Sequence, residues 1–218
     1  MTPWHKQPIV VVDFETTGVD PNDCAPVEMA LVRFEDGKRI RSWSQRFNPG
    51  RPISPEATAV HGITDADVAR AMPLRGLTLS LQLSAGWAAA MCDGAVPCAY
   101  NHHFDRTILA RFCPGLDLVT KWPVWLDPLP VVRLVDKYVK GQGRHQLAAT
   151  CERHGIELSK THSARADAEA CGKLLFSPKI RRVLGDWPIE RVLETQVSRA
   201  EQQDREFRKW LEAQGAAK

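Results

Sequence analysis

Asp13 and Glu15 stand two residues apart, directly after the β-branched run at positions 9–12. In an extended chain residues i and i+2 share a face, so this spacing sets two carboxylates a few ångströms apart at a strand end. Like charges that close drive one carboxyl toward neutrality unless a divalent cation takes oxygen ligands from both. A salt-bridged structural pair is the competing reading. Thr16-Thr17-Gly18 follows at once, and a tight turn with free N–H groups and hydroxyls beside a metal site can hold a phosphate or a sugar. A third acid closes the run Asn101-His102-His103-Phe104-Asp105. Asn101 can begin a turn there, and Asp105 then falls in the first turn of a helix, where an acid also serves simply to complement the helix dipole. The last group is His162-Ser163-Ala164-Arg165-Ala166-Asp167. With Ser163 as N-cap, His162 sits in the loop ahead of a helix and Asp167 about one turn inside it. If both were helical they would be rotated about 140° apart, so the pair converges best with His162 off the helix. An imidazole titrating near ~6.5 suits a general base at neutral pH, and equally a surface or capping residue.

These side chains need strand ends and helix starts to hold them. The run at 9–12, bounded by Pro8 and by Thr17-Gly18, is too short for a helix and predicts a buried strand. Residues 27–34 and 38–47 flank Glu35-Asp36-Gly37, a hairpin signal because Asp-Gly tolerates positive φ. Two short helical pieces are expected around His61-Gly62-Ile63, then an amphipathic helix over 74–91 and a fourth strand over 95–100. A helix over 103–112, a short fifth strand over 124–126, and helices over 146–154 and 164–176 complete the pattern. Strands first and strand–helix alternation afterwards indicate an α/β fold, a mixed five-stranded sheet flanked by helices. From Pro188 onward, Ile189, Val192, Leu193, Val197, Ala200, Phe207, Trp210 and Leu211 recur at helical spacing in a charged background. They predict a long C-terminal amphipathic helix, packed on its own domain or on a partner.

Composition bounds the rest. The chain has 218 residues, 44% hydrophobic and 25% charged, which fits one domain with about forty residues to spare, so that neither disorder nor a disulfide-stapled mini-fold is needed. A formal net charge of +3 neither supports nor excludes a nucleic-acid partner. The six cysteines lie far apart with no C-x-x-C pair, so zinc-ribbon and thioredoxin spacings are absent and the thiols read as buried and free. Met1 to Gln7 lead into only four apolar residues, so neither a signal-peptide core nor a membrane span is expected, and a reducing, cytoplasmic setting fits. Lys179, Arg181 and Arg182 form a small basic cluster that could touch a phosphate backbone or simply be solvated.

Taken together, Asp13-Phe14-Glu15-Thr16-Thr17-Gly18, then Asn101-x-x-Phe104-Asp105, then His162-x-Ala164-x-x-Asp167-Ala168 resemble the three motifs of the DnaQ-like 3′–5′ exonucleases of the DEDD superfamily, histidine subtype. That family includes the proofreading epsilon subunit of bacterial DNA polymerase III. The resemblance runs from about residue 9 to residue 175 and takes in Val60-His61-Gly62-Ile63 and Trp125-Leu126-Asp127-Pro128-Leu129. Ser163 stands where the tyrosine subtype would carry its tyrosine, so that subtype is excluded. The resemblance implies a ribonuclease H-like fold, with residues 1–178 as the exonuclease domain and 179–218 as a helical extension. It also implies two divalent cations, Mg²⁺ or Mn²⁺, held by Asp13, Glu15, Asp105 and Asp167, with His162 as general base. Phe14, Thr16, Thr17, His61, Asn101 and Phe104 would border the terminal nucleotide. The implied activity is two-metal hydrolysis at 3′ ends, with DNA, single-stranded or frayed, favoured over RNA and nucleoside 5′-monophosphates released. An exoribonuclease, or a polymerase-associated interaction subunit whose catalysis is secondary, are the alternatives. A polymerase or a second copy of the chain would be the partner of the C-terminal helix.

Overall fold

The computed structural model describes residues 2–74, 88–158 and 162–216. Its sheet has five strands, β1 (Ile9–Thr16), β2 (Pro26–Glu35), β3 (Lys38–Asn48), β4 (Met72–Pro73) and β5 (Val96–Cys98), in the order β4-β3-β2-β1-β5. β1 and β2, and β2 and β3, are antiparallel neighbours, whereas β5 runs parallel to β1 and β4 parallel to β3. The β2–β3 hairpin closes through Asp36 (φ 49°) and Gly37 (φ 75°), two left-handed residues of the kind whose twist matches the paired strands.

Helices α1 (Pro55–His61) and α2 (Asp65–Val68) are fixed by their caps. Ser54 Oγ accepts from the Ala57 N–H at 3.1 Å, and Thr64 and Asp67 form a reciprocal capping box. There follow α3 (Ala88–Cys92), α4 (His103–Phe112), α5 (Asp117–Thr120), α6 (Pro128–Val135), α7 (Leu147–Arg153), α8 (Ala164–Leu175), α9 (Pro178–Leu184) and α10 (Ile189–Ala216). Most of the helix expected over 74–91 falls at 75–87, outside the described residues, and its described end is α3.

The fifth strand is not where the pattern placed it. Residues 124–126 make only one bridge, Cys98 to Leu126, and the fifth strand is Met72–Pro73 on the opposite edge. Two prolines explain the difference. Pro123 precedes the segment, and Pro128 opens α6 immediately after Asp127, so few consecutive N–H groups remain for a ladder.

β1 lies between two apolar layers. Ile9 and Val11 face one with Ala30, Val32 and Phe34, covered by Ala168 and Cys171 of α8 and by Ile189 and Val192 of α10. Val10, Val12 and Phe14 face the other with Met29, Leu31 and Phe47, covered by Ile108 and Leu109 of α4 and by Trp125. All six cysteines are buried and free. No helix among the described residues is long and apolar enough to cross a membrane. Arg181 lies over the Trp4 ring, 5.6 Å from its centroid, and reaches Asp186 at 3.6 Å, so one member of the basic cluster is committed to the fold.

Candidate active site

The site forms because β1 outruns its neighbour. β5 pairs with β1 only as far as Val11, leaving the N–H groups of the following residues on that edge without a strand. The backbone N–H of Phe14 is taken instead by Oδ1 of Asp105 at 3.1 Å, which brings the first turn of α4 against the end of β1. The period of two then sets Asp13 and Glu15 on the α8 side of the sheet, where the first turn of α8 delivers Asp167. Carboxylate oxygens of Asp13, Glu15 and Asp167 lie within 4.8 Å of one another.

His162 stands ahead of α8 with φ 59°, off the helix, and its backbone N–H donates to the Asp167 carboxylate. Ser163 occupies the N-cap position, but its side chain makes no capping hydrogen bond. Glu28, opposite Glu15 on β2, does that work: its Oε2 accepts from the Ala164 N–H at 3.3 Å. Its Oε1 is 3.9 Å from Nε of Arg46. The only sequence signal for Glu28 is an acid set among the apolar residues at the start of β2.

Electrostatically the cluster is unstable by itself. Burial, then the charges of Asp105, Glu15 and Asp167, hold the Asp13 carboxyl well above the usual carboxylate range. Burial, with Asp167 and Glu28 adding repulsion, pushes Glu15 up to about 8. Burial likewise pushes Asp105 to about 8, against the lowering effect of the Phe14 N–H, and Asp167 to about 6. Among the described residues no ion pair reaches Asp13, Glu15 or Asp167, so a hard, oxygen-seeking divalent cation is the partner this donor set fits. A stability test follows. Without metal these acids hold protons in the folded state that the unfolded chain has released, so their contribution is fully present below about pH 4 and is lost as pH rises through about 6 to 8. The metal-free melting temperature should fall across that window, and added Mn²⁺ should raise it more at the upper end than at the lower. A flat, Mn²⁺-insensitive profile would contradict this reading of the cluster.

Of the other expected residues, Thr16, Thr17 and His61 have their side-chain polar groups already engaged. Thr16 Oγ1 donates to the Gly18 carbonyl at 2.6 Å, and Thr17 Oγ1 accepts from the Ala25 N–H at 3.0 Å. His61 is 9% exposed; its Nδ1 accepts from the Ile63 N–H and its Nε2 therefore donates to the Thr16 carbonyl at 3.1 Å. Both ring nitrogens are used in joining α1 to the β1 turn, and burial lowers the imidazole pKa, consistent with a neutral ring. Phe14 is buried in the layer opposite the carboxylates, with Phe104 packed partly against it. Asn101 is exposed at φ 62°, His103 is exposed, and His102 is half-buried. The Asn101 and His102 N–H groups both donate to the buried Asp127 carboxylate.

A mixed sheet with helices on both faces, with acids from β1 and α8 gathered where β1 outruns β5 and Asp105 of α4 beside them, is the architecture of a ribonuclease H-like fold. Residues 10–79 match the profile of the exonuclease family of RNase T type. That match, together with the likenesses to known proteins that follow, supports a DnaQ-like 3′–5′ exonuclease. It is 32% identical over 167 residues, 77% of its length, to the PolC-type DNA polymerase III of Streptococcus thermophilus, and 32% identical over 169 residues to that of Streptococcus suis. It spans 11% of the length of each of those polymerases. Its fold is similar to that of exonuclease X in complex with 5′-overhanging duplex DNA, with a TM-score of 0.62 at 23% identity over 86% of this chain and 99% of that one. It is also similar to Escherichia coli exonuclease I in a zinc-bound complex with single-stranded DNA, with a TM-score of 0.66 at 17% identity over 87% of this chain and 42% of that one.

Proposed function

We propose that the chain hydrolyses the 3′-terminal phosphodiester bond of single-stranded or frayed DNA, releasing nucleoside 5′-monophosphates. The convergence of Asp13, Glu15 and Asp167 within 4.8 Å, with Asp105 anchored beside them, is the observation that carries this reading. These four carboxylates would hold two divalent cations, Mg²⁺ or Mn²⁺, which supply Lewis-acid stabilisation of charge on the phosphate and the leaving oxygen. His162, held off the start of α8, would take the proton of the attacking water at an imidazole nitrogen. Asp167 accepts the His162 backbone N–H and so fixes the base relative to the acids. The hydroxyls of Thr16 and Thr17 shape the turn that would face the terminal sugar, and Asn101 would border the terminal nucleotide from the other side. Phe14 and Phe104 would support it from the apolar layer, and His61 would brace the turn.

The preference for DNA rests on the Glu15-Thr16-Thr17-Gly18 form of the first motif and on the DNA polymerases among its relatives. Labelled single-stranded DNA, duplex DNA, mismatched ends and RNA, each incubated with Mg²⁺ or Mn²⁺, test both halves. Mononucleotide release from single-stranded or mismatched DNA is expected. Release from none would sink the catalytic reading, and release from RNA alone would replace the substrate. We further read residues 1–178 as the catalytic domain and 179–218 as an extension, and place the protein in a reducing compartment that suits six free thiols. A second reading, a polymerase or self-association partner for α10, is favoured by its exposed distal end, where Phe207 and Trp210 stack at 5.9 Å while 58% and 55% exposed.

A further inference from the structure

The base of α10 reaches the candidate site through a buried amide. Gln196 is 2% exposed, and both ends of its side chain are used. Its Oε1 accepts from the Asp127 N–H at 2.9 Å and its Nε2 donates to the Trp125 carbonyl. A carbonyl at one residue and an N–H two residues later, pointing the same way, are what an extended segment offers a neighbouring strand. The opposite edge of this segment already pairs with β5, through Leu126 N–H to the Pro97 carbonyl at 2.9 Å and Ala99 N–H to the Leu126 carbonyl at 3.1 Å. The Gln196 side chain thus stands in for the strand that residues 124–126 lack.

What it braces matters to the site. Asp127 is 6% exposed, and its carboxylate accepts from Leu129 N–H at 2.8 Å, Asn101 N–H at 3.1 Å and His102 N–H at 3.2 Å. Asn101 is left-handed, a conformation uncommon outside glycine that persists where surrounding contacts over-determine it. His102, at the N-cap of α4, makes no side-chain cap of its own, so Asp127 supplies the partners at this turn. The turn leads straight into α4, whose first turn carries Asp105 to the Phe14 N–H.

We infer that Gln196 is a positioning residue that couples helix α10 to Asp105 through Asp127 and the Asn101-His102 turn. The inference rests on the exonuclease reading only for the use made of Asp105; the coupling itself is independent of it. Partners that orient a ligand from behind typically govern about 10–100-fold of metal affinity or turnover.

The test compares Gln196→Met, which keeps the volume and removes both bonds, with Gln196→Glu, which keeps the acceptor for the Asp127 N–H. Gln203→Ala serves as control. That residue anchors the same helix through the Pro130 carbonyl at 3.0 Å and does not touch Asp127. Three quantities are read on folded full-length protein: amide hydrogen exchange over residues 99–108, Mn²⁺ affinity by calorimetry, and kcat and KM on single-stranded DNA. Gln196→Met should speed exchange in that segment, weaken Mn²⁺ about tenfold and lower kcat about as much with KM within about twofold. Gln196→Glu should lose less, and Gln203→Ala should match wild type in all three. Unchanged exchange and Mn²⁺ affinity in a folded Gln196→Met, or equal losses in Gln203→Ala, would overturn the coupling. A wild-type chain without nuclease activity would overturn the exonuclease reading alone, since exchange needs no substrate.

Discussion

Asp167→Ala is expected to lower mononucleotide release by at least about 10²–10³-fold, the loss seen when a single preorganised electrostatic stabiliser is removed from a reacting centre, with a cation ligand lost besides. Two roles disappear together. Asp167 closes the carboxylate group with Asp13 and Glu15, and it accepts the backbone N–H of His162. Asp167→Asn separates them, because its amide oxygen can still accept that N–H while the negative charge is gone. Both variants should be nearly inactive if charge toward the cation dominates, whereas activity retained in Asp167→Asn alone would assign the residue to holding His162. Stability should move the opposite way. Burial disfavours the ionised Asp167 side chain, so without metal and above about pH 6 the alanine variant should melt at or above the wild-type temperature. An inactive variant that is also unfolded would not meet this expectation, and a fully active Asp167→Ala would remove the residue from the site.

Gly172→Ala should be the most damaging small substitution in the fold. Gly172 lies in α8 against β2, and a methyl group there would meet Cε2 of Phe34 at 2.1 Å and Cζ at 2.3 Å. Phe34 is 1% exposed in a packed layer and has nowhere to swing. Replacing a mid-helix glycine by alanine ordinarily gains about 1 kcal/mol of helix propensity, but overpacking a rigid core costs about 1–3 kcal/mol and more when backbone must shift. A net destabilisation of about 2 kcal/mol corresponds to a melting temperature lower by about 4–8 °C for a chain of this size. Calorimetry of Gly172→Ala and of the double variant with Phe34→Leu checks the cause, since the smaller side chain should recover part of the loss. A single variant that melts within about 2 °C of wild type would mean that α8 can lift from the sheet at little cost. Activity should fall with stability, because α8 carries both Asp167 and the start that holds His162.

The parts of the site that are local in sequence are legible there. Asp13 and Glu15 share a face through strand parity, Asp105 falls in a first helical turn, and the expected helix over 103–112 is α4 to the residue. The Asp36-Gly37 turn and the apolar stripe of α10 are likewise written in short-range pattern. What the pattern misses is decided by contacts far apart in the chain. Ser163 has the residue type of a cap, yet Glu28, 136 residues away, accepts the Ala164 N–H. Residues 124–126 are apolar enough for a strand, but flanking prolines limit them to one bridge and Gln196 pairs with their edge. β4 is two residues long and has no periodicity to read; only β3 calls it into the sheet. His61 reads as a substrate contact or a turn residue, and both of its ring nitrogens turn out to bind backbone.

β1 keeps its odd-numbered residues on one side and its even-numbered ones on the other, so the address of the carboxylates is a matter of parity. A slip of one position against β2 would bring the Phe14 ring to the place where Asp13, Glu15 and Asp167 now meet. It would also drive two acids among Met29, Leu31 and Ile108, where nothing polar waits for them. The two acids therefore guard the register of the strand that carries them. A mispaired sheet is penalised most at the very residues on which chemistry would depend.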